Sequence, residues 1–315
     1  MNACEALAER IINLYVIHPK VQEIWTTLDS IRFHRNKKKS APRHLFIVGQ
    51  SGVGKSEMLK KYRDRNPGYI YVDEEGTEYD IKPVVYMELP DPFTKMELYQ
   101  TIITELGAPH IYGLARIGDV KRRAFHLLKQ QKVEMLILDE MSYIKKAKYV
   151  KADDGMEALK YVSNQAGISI VCVGTPDTEE LQKSSFQYYR RFSPRKIRRF
   201  ESCNEEFCSF LAAVETQIDP PTPIGLGSME KGYPQLLHHW TKGIVERVHT
   251  LLIEAYKLLG VLEEDFNDLT KAKLTIDTLI KAKEIAFGSD MDDAEFERML
   301  NKEDMETRRK MDKSI

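Results

Sequence analysis

The amino-acid sequence predicts an α/β fold in which a central parallel sheet is flanked by helices and followed by a small helical region. Short apolar runs at residues 44–48, 83–88, 134–138 and 168–173 alternate with segments of helical periodicity, an order typical of a doubly wound sheet. The first run leads through a glycine-rich turn into a helix, and the third ends in two adjacent carboxylates. Both features fall at the carboxyl ends of strands, where open α/β sheets bind ligands.

Length and composition indicate a globular protein. The chain has 315 residues, of which 42% are hydrophobic and 30% charged, enough for one larger domain with a lid or for two medium domains. Its 47 Lys and Arg residues balance 48 Asp and Glu residues, for a net charge of -1. A polyanionic partner would therefore have to be met by a local basic surface, because the chain as a whole is nearly neutral.

The four cysteines, Cys4, Cys172, Cys203 and Cys208, are scattered, which argues against a disulfide framework and for a reducing compartment. Cys203 and Cys208 could form half of a metal site, but no second pair or nearby histidine completes it. No apolar run approaches the roughly 18 residues of a membrane helix, and the first residues lack a signal pattern. We therefore expect a cytoplasmic protein without membrane contact.

The glycine-rich turn has the spacing Gly-x-x-x-x-Gly-Lys-Ser between a strand and a helix, the context in which this motif predicts a phosphate-binding P-loop. The glycines let backbone N–H groups turn toward phosphate oxygens, and the helix N-terminus adds partial positive charge. Lys55 is expected to reach the β- and γ-phosphates of ATP, and the Ser56 hydroxyl to bind Mg²⁺. The predicted nucleotide-binding residues of this motif are Gly49, Gln50, Ser51, Gly52, Val53, Gly54, Lys55 and Ser56.

The third apolar run supplies a second element of an ATP site. Residues 135–138 are continuously apolar, as expected for a central strand buried on both faces. Asp139 follows and is expected to hold Mg²⁺, directly or through water, while Glu140 orients or deprotonates the attacking water. Adjacent carboxylates after a strand usually form only a solvated turn, but the P-loop upstream favours the nucleotide interpretation.

Thr175 and an arginine-rich segment complete the predicted catalytic set. Thr175 follows the fourth strand and is expected to hydrogen-bond the γ-phosphate or attacking water, unless it only caps the helix that begins near Asp177. The segment "SSFQYYRRFSPRKIRRFE" offers a guanidinium that a subunit could supply to its neighbour's ATP. Arg191 is the first choice for this arginine finger, Arg190 remains an open alternative, and the other arginines are expected to form ion pairs.

Several longer stretches resemble one family. They are "HPKVQEIWTTLDSIR", the P-loop, "PVVYMELPDPFTKMELYQTIITELGAP", "VEMLILDEMS", "ISIVCVGTPDTEELQ" and "RRF". Together, from about His18 to Gly260, they resemble the TniB/TnsC family of AAA+ ATPases, which regulate transposition in Tn7-like transposons, including CRISPR-associated ones. The stretch beginning at Pro83 is the most specific, because a P-loop and an acidic strand end occur in many ATPases.

The resemblance implies an AAA+ fold with a helical lid, and ATP-bound subunits that assemble as rings or helical filaments on double-stranded DNA. It also implies that the assembly links a TniQ-like target selector to a TnsB-like transposase. The family's DNA-contacting positions correspond here to Lys95 and Arg116, with Lys121 close behind. Lys95 and Arg116 fall at loop-to-helix junctions, which suit phosphate contacts, whereas Lys121 is equally well explained as a solvated charge. A second basic run, from Lys145 to Lys151, could line the same channel or be exposed helix.

The sequence divides into an N-terminal helical segment (1–39), a nucleotide-binding core (40–217), a helical lid (218–261) and a charged helical tail (262–315). Two other function classes stay open. An AAA+ helicase loader or replication initiator would share the ATP site and the DNA contact, and a C-terminal helix-turn-helix would favour it. A STAND-like ATPase switch would bind proteins and show no salt-dependent affinity for DNA.

Overall fold

The computed structural model describes residues 2–33 and 42–288, which form two compact units. The sheet unit comprises residues 20–33, 42–51 and 55–197. The helical unit comprises residues 2–19, 52–54 and 198–288. The four segments predicted from the sequence have other boundaries and stay a prediction.

The sheet unit is organised around five parallel strands in the order β4-β5-β6-β1-β7, and β2 and β3 form a separate antiparallel hairpin. The strands of the described residues are β1 (His44–Val48), β2 (Tyr69–Val72), β3 (Glu78–Ile81), β4 (Val84–Glu88), β5 (Met135–Asp139), β6 (Ser169–Gly174) and β7 (Phe192–Lys196).

The central strands form where the apolar runs predict them. Every residue of β1, β5 and β6 is buried, as expected for parallel strands covered on both faces. The predicted α/β fold with a central parallel sheet is therefore confirmed. The sequence did not predict β7, whose residues "FSPRK" include a proline and two cations. It forms because it is an edge strand that pairs only with β1, and Pro194 is tolerated at an edge.

Helices cover the sheet and complete its core. They are α2 (Pro19–Phe33), α3 (Lys55–Asp64), α4 (Lys95–Glu105), α5 (Ile117–Gln130), α6 (Ser142–Lys145), α7 (Ala152–Ala166), α8 (Glu179–Lys183) and α9 (Phe186–Arg191), which follow α1 (Ala3–Ile12) of the helical unit. The amphipathic helices α4, α5 and α7 bury their apolar faces in one cluster with β4, β5 and β6. The packed helices hold the carboxyl ends of the strands in fixed positions.

The helical unit has its own apolar core, built from α1, α10 (Glu205–Ile218), α11 (Tyr233–Thr241), α12 (Val245–Leu258) and α13 (Ile276–Phe287). The sequence predicts a solvated tail from residue 262, but α13 packs against α12 and buries Leu279 and Ala282. Its apolar positions are spaced for one buried face despite the dense charges around them. The remainder of that predicted tail, residues 289–315, lies outside the described residues.

Candidate nucleotide-binding site

The predicted nucleotide residues follow three neighbouring strands at one edge of the sheet. β6 lies between β5 and β1, and all three are parallel, so their carboxyl ends meet there. The N–H of Gly49 donates to the carbonyl oxygen of Gly174 at 3.2 Å, which ties the start of the P-loop to the end of β6. Gly174 has to be a glycine, because a Cβ there would collide with the Thr178 side chain.

The P-loop has the backbone geometry that its sequence predicts. Gly54 has a φ of 87° and immediately precedes α3, so the loop turns into the helix through a conformation that favours glycine. Lys55 begins α3, is 9% exposed, and its Nζ donates to the carbonyl oxygens of Gly49 at 2.7 Å and Gln50 at 2.8 Å. The ammonium is thus positioned beside the loop that would cradle phosphates.

Asp139 is the last residue of β5, is 3% exposed, and is held through both carboxylate oxygens. Oδ1 accepts the N–H of Glu140 at 2.8 Å, and Oδ2 accepts the hydroxyl of Tyr86 at 2.7 Å. Burial, and then the hydrogen bond to Asp139, raise the pKa of Tyr86, so the phenol stays a protonated donor.

These residues fit Mg²⁺ bound together with a nucleotide. Asp139 at the end of β5 offers a carboxylate, and Ser56 in the first turn of α3, directly after the P-loop lysine, offers a hydroxyl. Magnesium is usually held by one or two protein oxygens, with phosphate oxygens and water completing its six ligands. The described residues contain no cluster of three or more His, Cys, Asp or Glu side chains suited to a metal.

Glu140 adjoins Asp139 but has a different environment. It is exposed and has a φ of 58°, the left-handed region that few glutamates adopt. The Ser142 hydroxyl donates to its Oε2 at 3.1 Å. Strained backbone of this kind costs on the order of 1–3 kcal/mol and is concentrated at functional sites. In this conformation the carboxylate is engaged by Ser142, so activating a water would require it to exchange partners.

Thr175 lies at the same edge, in a network the sequence did not indicate. Its hydroxyl donates to the Asp177 carboxylate and makes no helix-capping bond to the backbone. The Nζ of Lys145 donates to the carbonyl oxygen of Asp177 at 3.0 Å and its Oδ2 at 3.1 Å, and lies 3.6 Å from Glu180. Burial raises the pKa of the Asp177 carboxyl, but the bonds from Thr175 and Lys145 outweigh it and hold the pKa below its ordinary value. Lys145 is therefore an ion-paired residue of this edge, not an open cation of the second basic run.

The arginine-rich segment forms α9 and the start of β7. Arg191 is half-buried, and its Nη1 donates to Asn164 at 2.9 Å, whereas Arg190 is exposed. Phe186 and Tyr189 on the same short helix are 79% and 52% exposed. Burial, together with the positive charge of Arg191, lowers the pKa of His44 to about 4.

The predicted DNA-contacting residues lie at and near the starts of two helices that pack together, α4 and α5. Lys95 is the exposed first residue of α4, which Thr94 caps by accepting the N–H of Glu97 at 3.1 Å. Arg116 is exposed and occupies the cap position of α5 without a capping side-chain bond. Lys121 is half-buried with its Nζ 3.9 Å from the ring centroid of Tyr161, so it already has a partner within the chain.

Sequence reasoning places Asp177 at this edge without its partners, and it does not place Tyr86, Ser142 or Lys145 there. Tyr86 looks like one more apolar residue of "PVVYMELP", and only its position beside Asp139 gives its hydroxyl a role. Ser142 and Asp177 stand two residues after Glu140 and Thr175, a proximity that could have indicated them. No sequence signal indicates the pairing of Lys145 with a residue 32 positions away.

Solved structures resemble this fold over most of its length. The ORC2 protein of Aeropyrum pernix, solved as ADPNP–ADP complexes, matches with a TM-score of 0.61 at 16% identity, over 91% of this chain and 74% of that one. The ORC1 protein of the same organism, solved with DNA, matches with a TM-score of 0.56 at 12% identity, over 88% and 69%. Cdc6p of Pyrobaculum aerophilum matches with a TM-score of 0.54 at 12% identity, over 88% and 83%. The fold is that of AAA+ ATPases, as predicted.

No curated protein matches this sequence. None of the helices in the described ranges, 2–33 and 42–288, is long and apolar enough to cross a bilayer. A family model described as bacterial TniB protein matches residues 9–202, well over half of the chain. The predicted resemblance and the assignment as an AAA+ ATPase are confirmed by this match and by the fold, and the chain belongs to the TniB family of bacterial proteins.

Proposed function

We propose that this chain is an ATP-dependent regulator of DNA transposition, which assembles on double-stranded DNA and links a TniQ-like target selector to a TnsB-like transposase. The observation that carries the proposal is the meeting of the P-loop, Asp139 and Thr175 at one sheet edge in a member of the TniB family. The residues at this edge support binding and hydrolysis of ATP. Membership of the TniB family supports transposition as the process that ATP regulates.

The residues of the edge divide the work of nucleotide binding and hydrolysis. Lys55 and the P-loop backbone bind the β- and γ-phosphates, while Ser56 and Asp139 would hold Mg²⁺. When bound, Mg²⁺ neutralises charge on the phosphate oxygens. Glu140 leaves Ser142 and takes a proton from the attacking water. An arginine of α9, Arg190 or Arg191, acts on the ATP of a neighbouring copy, because α9 begins at Phe186 with exposed side chains beside these arginines.

Double-stranded DNA is the partner that the exposed cations suit. Lys95 and Arg116 stand at helix N-termini, where side-chain cations and backbone N–H groups can contact phosphates together. Each subunit would add few contacts, so ATP-driven assembly supplies the affinity through multivalency. The similarity in fold to an ORC1 protein solved with DNA supports this use of the fold.

Electron microscopy of the protein with a non-hydrolysable ATP analogue and duplex DNA tests the proposal. We expect rings or helical filaments that enclose DNA and form with the analogue but not with ADP. Lys55→Ala, which removes the P-loop ammonium, should prevent their formation, and Lys129→Ala, at an exposed lysine in the last turn of α5, should not. Particles that stay monomeric with analogue and DNA would contradict the assembly on DNA.

Similarity in fold to ORC and Cdc6 proteins favours a second candidate, a helicase loader or replication initiator. A transposition assay in cells separates the two candidates. The proposed regulator is required for insertion of a mini-transposon when the other transposition proteins are supplied, whereas an initiator-like protein is not. A third candidate, the STAND-like switch, would show no DNA affinity at any salt concentration.

A further inference from the structure

Tyr86 lies beside the nucleotide edge, which is the edge of the sheet where the P-loop meets the carboxyl ends of β5 and β6, although neither the P-loop motif nor the two carboxylates at the end of β5 indicate it. It belongs to β4, whose Glu88 stands opposite Asp139 of β5. Tyr86 precedes Glu88 by two residues, so the side chains of Tyr86 and Glu88 point to the same face of the sheet. Tyr86 is 6% exposed, and its ring centroid lies 5.3 Å from the Nζ of Lys60 on α3. Its position is thus fixed by the pairing of β4 with β5 and by the helix that follows the P-loop.

The phenol hydroxyl of Tyr86 fixes the carboxylate that the chain offers to a metal. It donates to Asp139 Oδ2 at 2.7 Å. Asp139 Oδ1 is held separately by the N–H of Glu140 at 2.8 Å. The carboxylate therefore cannot rotate without breaking a buried hydrogen bond.

We infer that Tyr86 is a positioning residue for Mg²⁺, which sets the orientation of Asp139 before the nucleotide arrives. The inference rests on the proposed ATP-binding function and assigns to one hydroxyl the metal dependence of that binding. Groups that orient metal ligands in this way typically contribute about 10- to 100-fold to metal affinity. The phosphates themselves are bound by the P-loop and Lys55, so binding of nucleotide without metal does not depend on this hydroxyl.

Tyr86→Phe removes only the hydroxyl and keeps the buried ring, and Tyr62→Phe is its matched control. The Tyr62 hydroxyl also donates to an aspartate at 2.7 Å, Asp29 Oδ1, and Tyr62 is also buried, but it takes no part in the nucleotide edge. Both variants lose one oxygen from a buried ring and one bond to a carboxylate. A difference between them therefore reports on the position of the hydroxyl.

The measurement is the fluorescence of a ribose-labelled, non-hydrolysable ATP analogue bound to the full chain, first in EDTA and then over a series of free Mg²⁺ concentrations. For Tyr86→Phe we expect wild-type affinity in EDTA, which also shows that the variant is folded, and a Mg²⁺ concentration at half-saturation raised about 10- to 100-fold. Tyr62→Phe should match the wild type in both conditions.

Two results for Tyr86→Phe would overturn the inference: an unchanged Mg²⁺ half-saturation, or an equal loss of affinity in EDTA and in Mg²⁺. The second result would make Tyr86 a merely structural residue. Wild-type protein that binds the analogue equally well with and without Mg²⁺ would overturn the inference and leave nucleotide binding intact. Wild-type protein that binds no analogue in either buffer would overturn the proposed function, and the inference with it.

Discussion

The nucleotide edge and the arginine-bearing helix α9 differ in how their functional side chains are held. At the edge, Asp139 and Lys55 are buried, and each is fixed by short hydrogen bonds to its neighbours. On α9, Arg190 is exposed, and Arg191 is half-buried with one hydrogen bond, to Asn164 at 2.9 Å. A group that acts within its own subunit can be positioned by the fold, whereas a group that acts on another copy is positioned only when the two meet. The proposed function expects such a difference, because it places the arginine finger in a site that two copies complete.

Removal of the arginine finger should have the largest effect. It tests whether α9 acts on the ATP of another copy. Arg191→Ala should lower ATP hydrolysis by about 10³-fold or more while nucleotide affinity stays near wild type, because the guanidinium acts on the neighbour's ATP. Arg190→Ala, measured in parallel, decides between the two arginines, and Arg195→Ala, in β7, is the control. Hydrolysis per subunit should also rise with protein concentration. Equal turnover at all concentrations would place the whole site within one subunit.

Substitutions of the two carboxylates at the end of β5 should affect different steps, one hydrolysis and the other nucleotide binding. Glu140→Gln should lower hydrolysis by about 10²- to 10⁴-fold, keep ATP bound and trap the DNA-bound assembly, since only the proton acceptor is lost. Asp139→Asn should instead weaken binding of ATP with Mg²⁺. Steady-state hydrolysis and labelled-nucleotide binding measure the two effects, with Glu74→Gln in the exposed hairpin turn as control. Normal hydrolysis by Glu140→Gln would remove Glu140 from its catalytic role.

His44, whose ring centroid lies 4.7 Å from that of Phe192 at the start of β7, should make stability depend on pH. Its pKa falls from 6.5 to about 4 on folding, so between these values the unfolded chain binds more protons than the folded one. The contribution of His44 to stability is therefore complete above pH 6.5 and declines by up to about 3 kcal/mol as the pH falls toward 4.

Urea unfolding between pH 7 and 4 measures this effect. The difference in unfolding free energy between wild type and His44→Asn should shrink as the pH falls, whereas the exposed His126→Asn should leave the wild-type profile unchanged. A constant difference across this range would mean that His44 titrates at its ordinary pKa in the folded protein.

Substitution of Lys145 has the smallest expected effect. It tests whether this cation belongs to the nucleotide edge or to the DNA-binding surface. Because it is paired with Asp177 and Glu180, Lys145→Met should lower hydrolysis only about twofold to fivefold and leave DNA affinity unchanged. Lys148→Met, at an exposed lysine, is the matched control. Loss of DNA affinity in Lys145→Met alone would mean that Lys145 contacts DNA.

The sequence predicts those parts of the fold and of the site that are formed by residues adjacent in the chain. The runs that form β1, β5 and β6, and the P-loop between β1 and α3, are continuous in sequence, so they predict both the sheet and its nucleotide edge. β7 could not be predicted, because an edge strand needs no apolar run and tolerates Pro194. The partners of Tyr86 and Lys145 depend on which strands and loops become neighbours. The left-handed backbone of Glu140 could not be predicted either, because few glutamates adopt this conformation.

DNA binding with an ATP analogue over a salt series tests the central claim, that ATP-ordered copies of this chain track duplex DNA. Fluorescence anisotropy on a labelled duplex should show affinity that is nearly independent of base sequence and falls steeply with salt. Lys95→Ala combined with Arg116→Ala should abolish this affinity while binding of the analogue by the free subunit is unchanged. Wild-type affinity and salt slope in the double variant would contradict the account.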